Sequence, residues 1–485
     1  MEQNYDIIIV GAGAVGCAIA RELSRFQLQV ALMEKEGDVA CGTSGRNSAV
    51  VHAGFNNKPG SLMAELCVEG NQGFEALCHE LDVPYQKTGK LLVAFDDEDM
   101  ETLRGVVDKG IRNGCKGLEL IDQQRVNKIA PNIGGIGGMY SPETAIFDPF
   151  TYCIALAENA VQNGVVLYLE HEVTEITRTQ EGFRIIAGRE PFTCRYLINS
   201  AGLYSDHISE LAGVRGYQLY PCRGEYYILD KIASEYLNIP VYPAPKPGIG
   251  GLGVHLTPTI DGNIIIGPSA EYINAKDDFA CTPEAMDKLF REAVQLLPLL
   301  ERKHIIGNYS GIRPKQAPPE EGGFRDFVIK EEPECPGLIN LIGIESPGLT
   351  ASMPIARRVC DILSDHMELM KKDNFIAQRK GPVRFRDQTP EEQARLITED
   401  PDYGEIICRC QIVTKKEIRQ AIENPLGVRS ISGIKYRAWA TTGRCNGGYC
   451  FSRIVDILIH EYGMDATEIR YRSKGSELFV DEARK

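Results

Sequence analysis

Four cysteines crowd the last part of this sequence: Cys408 and Cys410 in "IICRCQIV", Cys445 and Cys450 in "TTGRCNGGYC". Presented as Cys-x-Cys and Cys-x4-Cys on loops at helix starts, four thiolates can close around one small metal centre. Gly443, Gly447 and Gly448 leave room for peptide N–H groups to approach the sulfurs. A zinc knuckle is the alternative, though such sites usually use Cys-x2-Cys pairs. The remaining eleven of the fifteen cysteines are scattered in apolar settings such as "VGCAIA" and "RRVCDIL". They read as buried free thiols in a reducing compartment, the cytoplasm.

Histidine is the natural acceptor for a hydroxyl proton, because it titrates near working pH. Of the eight histidines, His52 in "AVVHAG" and His255 in "GVHLTPTI" are placed to touch a substrate. His79, His171, His207, His304, His366 and His460 fall in ordinary helix or loop contexts. Which of the first two is the base stays open. Arg313 and Lys315 in "SGIRPKQ" are the anion candidates, the arginine as a bidentate fork. Arg223 in "PCRGEYY" is a weaker third.

The elements that must position these groups begin at the N-terminus. "YDIIIVGAGAVGCAIARELSRFQLQVALMEKE" reads as a buried strand, a glycine turn, an amphipathic helix and a second strand. Gly11 allows the tight turn, Gly13 admits a pyrophosphate, and Gly16 lets helix and strand pack closely. Ala14 and Val15 open the helix, whose free N–H groups suit phosphate. Glu34, followed by Lys35, ends the second strand where a carboxylate can hold ribose hydroxyls. This fingerprint does not separate FAD from NAD.

The next segment does. "CGTSGRNSAVVHAG" suits a backbone draped along a cofactor, with Thr43, Ser44, Asn47 and Ser48 as its polar groups. Later stretches return to the same sheet: Val173 in "EHEVTEI", Ala201 and Gly202 in "RYLINSAGLY", and Gly348, Leu349 and Thr350 in "GIESPGLTAS". A nucleotide domain interrupted by insertions points to FAD, since a nicotinamide enzyme more often completes its domain in one pass.

Composition excludes other classes. At 485 residues, 43% hydrophobic and 25% charged, the chain is globular and long enough for several domains. A net charge of −14 argues against nucleic acid. No signal peptide and no membrane span are expected, while association at a membrane surface stays open.

These residues resemble the FAD-dependent D-amino-acid-oxidase-like superfamily, especially its anaerobic-type glycerol-3-phosphate dehydrogenase and L-2-hydroxyglutarate oxidase branches. The likeness covers about residues 4–365 and is carried by "GRNSAVVHAGF", "PGSLMAELCVEGN", "GVHLTPTIDGNIIIGPSAE", "YSGIRPK" and "GIESPGLTAS". It implies a flavin ring between the "RNSAVVHAG" run and the "ESPGLTAS" loop, and a substrate anion at Arg313. The cysteine segment resembles the bacterioferritin-associated-ferredoxin-like domain, which implies a 2Fe-2S cluster on Cys408, Cys410, Cys445 and Cys450. One departure is Asn56-Asn57, where the glycerol-3-phosphate branch usually carries Arg-Tyr.

The expected fold is α/β: an FAD-binding Rossmann-like domain interleaved with an antiparallel-sheet substrate domain, plus a small helical iron–sulfur C-terminal domain. The first domain spans 1–372. Its nucleotide-binding parts are near 1–60, 145–213 and 331–372, and its substrate parts near 61–144 and 214–330. Residues 373–404, dense in charge and proline, read as a linker, and 405–485 as the cluster domain. Thr282 and Thr414 are expected to cap helices. The activity expected is oxidation of a small anionic secondary alcohol, with an electron-acceptor protein or quinone-linked subunit as partner and an oligomeric assembly. Three substrate readings stay open: sn-glycerol 3-phosphate, a 2-hydroxy acid such as L-2-hydroxyglutarate, or an amino acid. An electron-transfer or assembly subunit without catalysis is the reading from another class.

Overall fold

A computed structural model gives the fold, and it describes residues 3–246 and 253–481. The strand Gln3–Val10 is apolar from Ile7 onward and buried on both faces, as a central parallel strand must be. It pairs in parallel with Val30–Met33 on one side and Glu190–Asn199 on the other. Val166–Tyr168 continues the sheet beyond Val30–Met33. On its far side Glu190–Asn199 is shared: its first half pairs with Phe183–Ala187, and its last three residues pair in parallel with Cys335–Ile342. One sheet is thus assembled from distant parts of the chain. Helices Ala14–Leu23, Pro149–Gln162 and Ser352–Ser364 cover one face, and alanines at Ala18, Ala155, Ala157 and Ala356 let them pack closely.

A second, nine-stranded sheet stands beside it. Its backbone is the long antiparallel ribbon of Tyr220–Leu229 with Ile305–Lys315. Residues from the 61–144 region join through Lys90–Ala94, Gly137–Ser141 and Glu119–Asp122. The sheet is antiparallel except where Val241–Pro243 meets Lys90–Ala94 in parallel. Helix Pro283–Leu296 packs on it. Thr282 does occupy the position before that helix but does not cap it: its hydroxyl is drawn to Glu225, 3.1 Å away, a buried carboxylate with stronger claim on a donor.

Residues 373–404, expected to be a linker, are docked along their length. Asn163 holds the Ile376 main chain, and Arg379 pairs with Glu158 at 2.7 Å. Phe385, Leu396 and Tyr403 form their own small core around helix Pro390–Glu399. The last body has its own apolar centre of Ile407, Ile418, Ile422, Ile434, Ile454 and Leu458. Thr414 and Glu417 form a reciprocal cap at the start of its helix Lys415–Ile422. Arg437 joins this body to Asp38 at 2.7 and 2.9 Å, and the Trp439 indole N–H donates to Asp148 at 3.1 Å. No helix among the described residues is long and apolar enough to cross a membrane.

Candidate active site and cysteine centre

The glycine turn fits a dinucleotide on three counts. Gly11 sits at φ +99°, and a Cβ there would lie 2.7 Å from the Ser200 carbonyl. A Cβ at Gly16 would lie 1.9 Å from the Gly11 carbonyl, so helix and strand touch through glycine alone. Helix Ala14–Leu23 has no side-chain cap from Gly13, and among the described residues its first-turn side-chain bond is that of the Ala14 N–H to Ser44 Oγ at 2.9 Å. Its other first-turn donors are available to phosphate, with Val15 among them. Glu34 accepts the Ala12 N–H at 2.8 Å and the Glu36 N–H at 3.0 Å, and burial raises its pKa. Lys35 lies over the Tyr204 ring at 4.4 Å, next to Ala201 and Gly202. Val173 is buried in the core beneath Ala201. These residues would hold the adenosine end.

The loop from Thr43 onward is fixed by polar contacts. Thr43 Oγ1 donates to the Ile312 carbonyl at 2.7 Å, and Asn47 Nδ2 donates to the Ser44 carbonyl at 2.6 Å. Asn47 Oδ1 accepts the Ala49 N–H, and the Tyr309 hydroxyl donates to the Asn47 carbonyl. Ser48 reaches the Tyr242 hydroxyl. The His52 N–H donates to Thr350 Oγ1 at 3.0 Å, tying this loop to Gly348, Leu349 and Thr350. Gly70 lets helix Leu62–Leu81 press against that second loop, since a Cβ there would lie 2.0 Å from the Thr350 carbonyl.

His52 and His255 come together between the two sheets. The His255 ring stacks on Tyr242 with centroids 3.5 Å apart, and its Nδ1 is buried with no hydrogen-bond partner. His52 Nε2 lies 3.4 Å from Ser346 Oγ. Burial, then the cation of Lys90, holds the pKa of both well below the usual imidazole value. Both are therefore neutral and able to accept a proton. Arg313 approaches from the ribbon, donating to the Ser269 carbonyl at 3.3 Å, and Tyr226 and Cys222 hold its guanidinium. No carboxylate stands within ion-pair distance of it among the described residues.

Lys315 and Arg223 are placed differently. Lys315 is buried, 3.3 Å from Glu345 and 2.7 Å from the Gly323 carbonyl, so its charge is already used. Arg223 is caged by Asp278 at 2.7 Å, Glu271 at 2.9 Å and Glu225 at 3.3 Å. In their place the fold supplies Lys90, which sequence reasoning missed. It is 1% exposed, its ammonium lies 3.9 Å from the Tyr242 centroid, and burial lowers its pKa to about 7. It has no carboxylate partner among the described residues. The one available signal was a lysine opening the apolar run "KLLVA". Glu345, raised to about 7 by burial, was missed as well.

The four cysteines meet in two pairs. Cys410 and Cys445 sulfurs lie 3.4 Å apart, and Cys408 is hydrogen-bonded to Cys450. Cys450 pulls the Cys408 pKa down to about 6, and Cys410 lowers that of Cys445. The peptide N–H groups of Thr441, Gly447 and Tyr449 point at the sulfurs. Gly443 is needed for the approach, since a Cβ there would lie 2.2 Å from the Cys410 Cβ. Two thiol pairs suit a two-iron centre with two thiolates per iron better than one zinc.

Comparison with known proteins gives the family of both parts of the chain. Residues 6–362 match the family of FAD dependent oxidoreductases, and residues 406–460 match the BFD-like [2Fe-2S] binding domain. The chain is 39% identical over 482 residues to a glycerol 3-phosphate dehydrogenase of Caloramator mitchellensis, covering 98% of both chains. It is 38% identical over 399 residues to the mitochondrial L-2-hydroxyglutarate dehydrogenase of Caenorhabditis elegans, covering 73% of this chain and 92% of that one. Among solved structures, the FAD-bound L-alpha-glycerophosphate oxidase of Mycoplasma pneumoniae superposes with a TM-score of 0.74 at 29% identity, over 79% of this chain and all of the other. The chain belongs to the FAD-dependent oxidoreductase family and carries a C-terminal 2Fe-2S binding domain.

Proposed function

We propose that the chain oxidises sn-glycerol 3-phosphate to dihydroxyacetone phosphate and passes the electrons to a separate acceptor. The observation that carries this is the meeting of two imidazoles, their pKa values held low by burial, with an arginine that has no carboxylate within ion-pair distance among the described residues, beside the loops that would line the cofactor. The likeness to the Caloramator glycerol 3-phosphate dehydrogenase extends through the cysteine domain and supplies the substrate.

FAD, when bound, supplies the hydride acceptor. The chain's own groups do the rest. Arg313 holds the phosphate through its fork, and the walls of Tyr242 and Tyr226 keep water away. As the secondary alcohol gives up its hydride, its hydroxyl proton passes to His52 Nε2 or to the unpartnered His255 Nδ1. Lys90 adds positive potential that favours the oxygen as the proton leaves. Cys408, Cys410, Cys445 and Cys450 would hold the 2Fe-2S cluster, which supplies one-electron transfer to a protein or quinone-linked acceptor.

Lys90 also favours a second reading. A buried amine whose pKa is lowered to about 7, with no carboxylate at ion-pair distance among the described residues, would be protonated beside a second anionic end. Together with Arg313 it suits a substrate with charge at both ends, such as L-2-hydroxyglutarate. Asn56 and Asn57 are occupied with Lys109 and the Met63 carbonyl, and supply no extra cation for a phosphate dianion. Anaerobic mixing of the yellow protein with each substrate decides. Bleaching by glycerol 3-phosphate supports the first reading, bleaching by L-2-hydroxyglutarate the second, and bleaching by neither overturns both.

A further inference from the structure

A cavity of about 510 Å3 opens where the loop around residues 38–49, the second sheet and the cysteine body meet. It lies apart from His52 and His255, and none of the four paired cysteines lines it. Its size is that of a small-molecule site.

The charges on its wall are unequal in kind. The three acids are each matched: Asp38 by Arg437 at 2.7 Å, Asp148 by Arg384 at 3.5 Å, and Asp261 by Arg386 and Arg384. The three cations, Arg46, Lys435 and Arg472, have no carboxylate within ion-pair distance among the described residues. Arg46 donates once, to the Ser310 carbonyl at 3.2 Å. Burial, then the neighbouring charges of Arg472 and Arg46, lowers the Lys435 pKa. In a chain of net charge −14, which has acids to spare, three mutually repelling cations face one space.

Beside them stands a stack of aromatic rings, whose outer faces and edges form that part of the wall. Phe150 and Tyr436 stack with centroids 4.0 Å apart and planes within 8°, and Trp439 meets Phe150 edge-on at 6.2 Å. Arg46 lies over the Phe279 ring at 4.1 Å, and Arg472 is hydrogen-bonded to Tyr436. Cations without a carboxylate at ion-pair distance thus stand among aromatic rings, a setting that matches a ligand joining negative charge to a ring.

We propose that this cavity binds a ring-bearing organic phosphate of the nucleoside diphosphate class, its phosphates on Arg46, Lys435 and Arg472 and its ring along the Phe150–Tyr436 wall. The inference does not depend on which alcohol the enzyme oxidises. The occupant would touch both halves of the molecule. Asn47 on the lining belongs to the loop beside the cofactor site, and the Thr441 N–H points at Cys408 and Cys450.

Trp439 is the sole tryptophan of the sequence and lies on the cavity wall, so its fluorescence reports occupancy. Full-length protein carrying FAD and its cluster is titrated with ADP, GDP and UDP, and in parallel with pyrophosphate and adenosine. A saturable change with at least one nucleotide is expected, with the flavin spectrum unmoved. Pyrophosphate and adenosine, which each satisfy half of the lining, should bind at least about tenfold more weakly. Lys435→Met and Arg472→Met should each weaken the nucleotide about tenfold, the loss of one charged contact, with FAD and iron content retained. If a variant loses its FAD, the contrast among ligands on the unaltered protein carries the test. No saturable response to any of the three nucleotides overturns the proposal. So does pyrophosphate binding as tightly as the nucleotide, or a nucleotide affinity unchanged in both variants.

Discussion

Replacing Arg313 by alanine separates an anion site from a structural cation. One arm of its guanidinium is committed to the Ser269 carbonyl at 3.3 Å, leaving one or two N–H groups for the substrate. A charged hydrogen bond contributes about 1.5–3 kcal/mol, so the loss in transition-state binding should be about 2–4 kcal/mol. That is a fall of roughly 30- to 1,000-fold in kcat/KM. FAD content should stay normal, because Thr43 bonds the main-chain carbonyl of Ile312, which the substitution leaves in place. The assay is the second-order rate of anaerobic flavin bleaching, beside flavin absorbance per protein. Lys315→Met is the control. It strips the cation from buried Glu345 and should cost about 3–5 kcal/mol of stability, while Arg313 still holds the anion. An unchanged bleaching rate in Arg313→Ala would refute the reasoning, as would a normally stable Lys315→Met that has lost the same rate.

Lys90→Met removes a cation that disfavours protonation of His52 and His255, so their pKa values should rise. The acid limb of kcat/KM against pH should move to higher pH, and a limb that stays put would show that neither imidazole is the base. Gly16→Ala places a Cβ 1.9 Å from the Gly11 carbonyl, so helix and strand must part, and the purified protein should be colourless. Cys445→Ser should lose iron and acid-labile sulfide together yet still bleach with substrate. One zinc and no sulfide in the unaltered protein would instead select the knuckle.

The cofactor half of the site is legible in the sequence because its demands are local. Gly11, Gly16 and Glu34 are dictated by contacts within one strand–helix–strand unit, where spacing alone fixes the geometry. The same holds for Thr414, whose capping partner is three residues away. Thr282 carries the same signal and fails, since Glu225, far off in the chain, takes its hydroxyl.

The substrate half depends on pairings that no spacing encodes. Arg313 and Lys315 stand two residues apart on one strand and look equivalent as charges. The fold separates them: Glu345, from the loop beyond the other sheet, stands 3.3 Å from Lys315, while it acts on Arg313 only as a more distant charge and no carboxylate among the described residues lies within ion-pair distance of Arg313. Arg223 is withdrawn from service in the same way by three acids. Lys90 is the converse case. It opens a strand that reads as core, and its significance comes from what the fold brings to it, the faces of Tyr242 and Phe55 and no acid at ion-pair distance among the described residues. In a chain where acids outnumber bases, a buried cation ordinarily finds a carboxylate, because desolvating it alone is expensive. A buried lysine left without one gives up part of its charge, as Lys90 does with its pKa lowered to about 7, and an anion from outside the chain would restore it. Lys90 meets that condition beside the histidines, while the partly exposed Arg313 there, and Arg46, Lys435 and Arg472 at the second cavity, share with it the lack of a carboxylate within ion-pair distance among the described residues. Charge-removing substitutions at these five positions should therefore weaken ligand binding more than they lower the melting temperature, and the reverse should hold at Lys315 and Arg223.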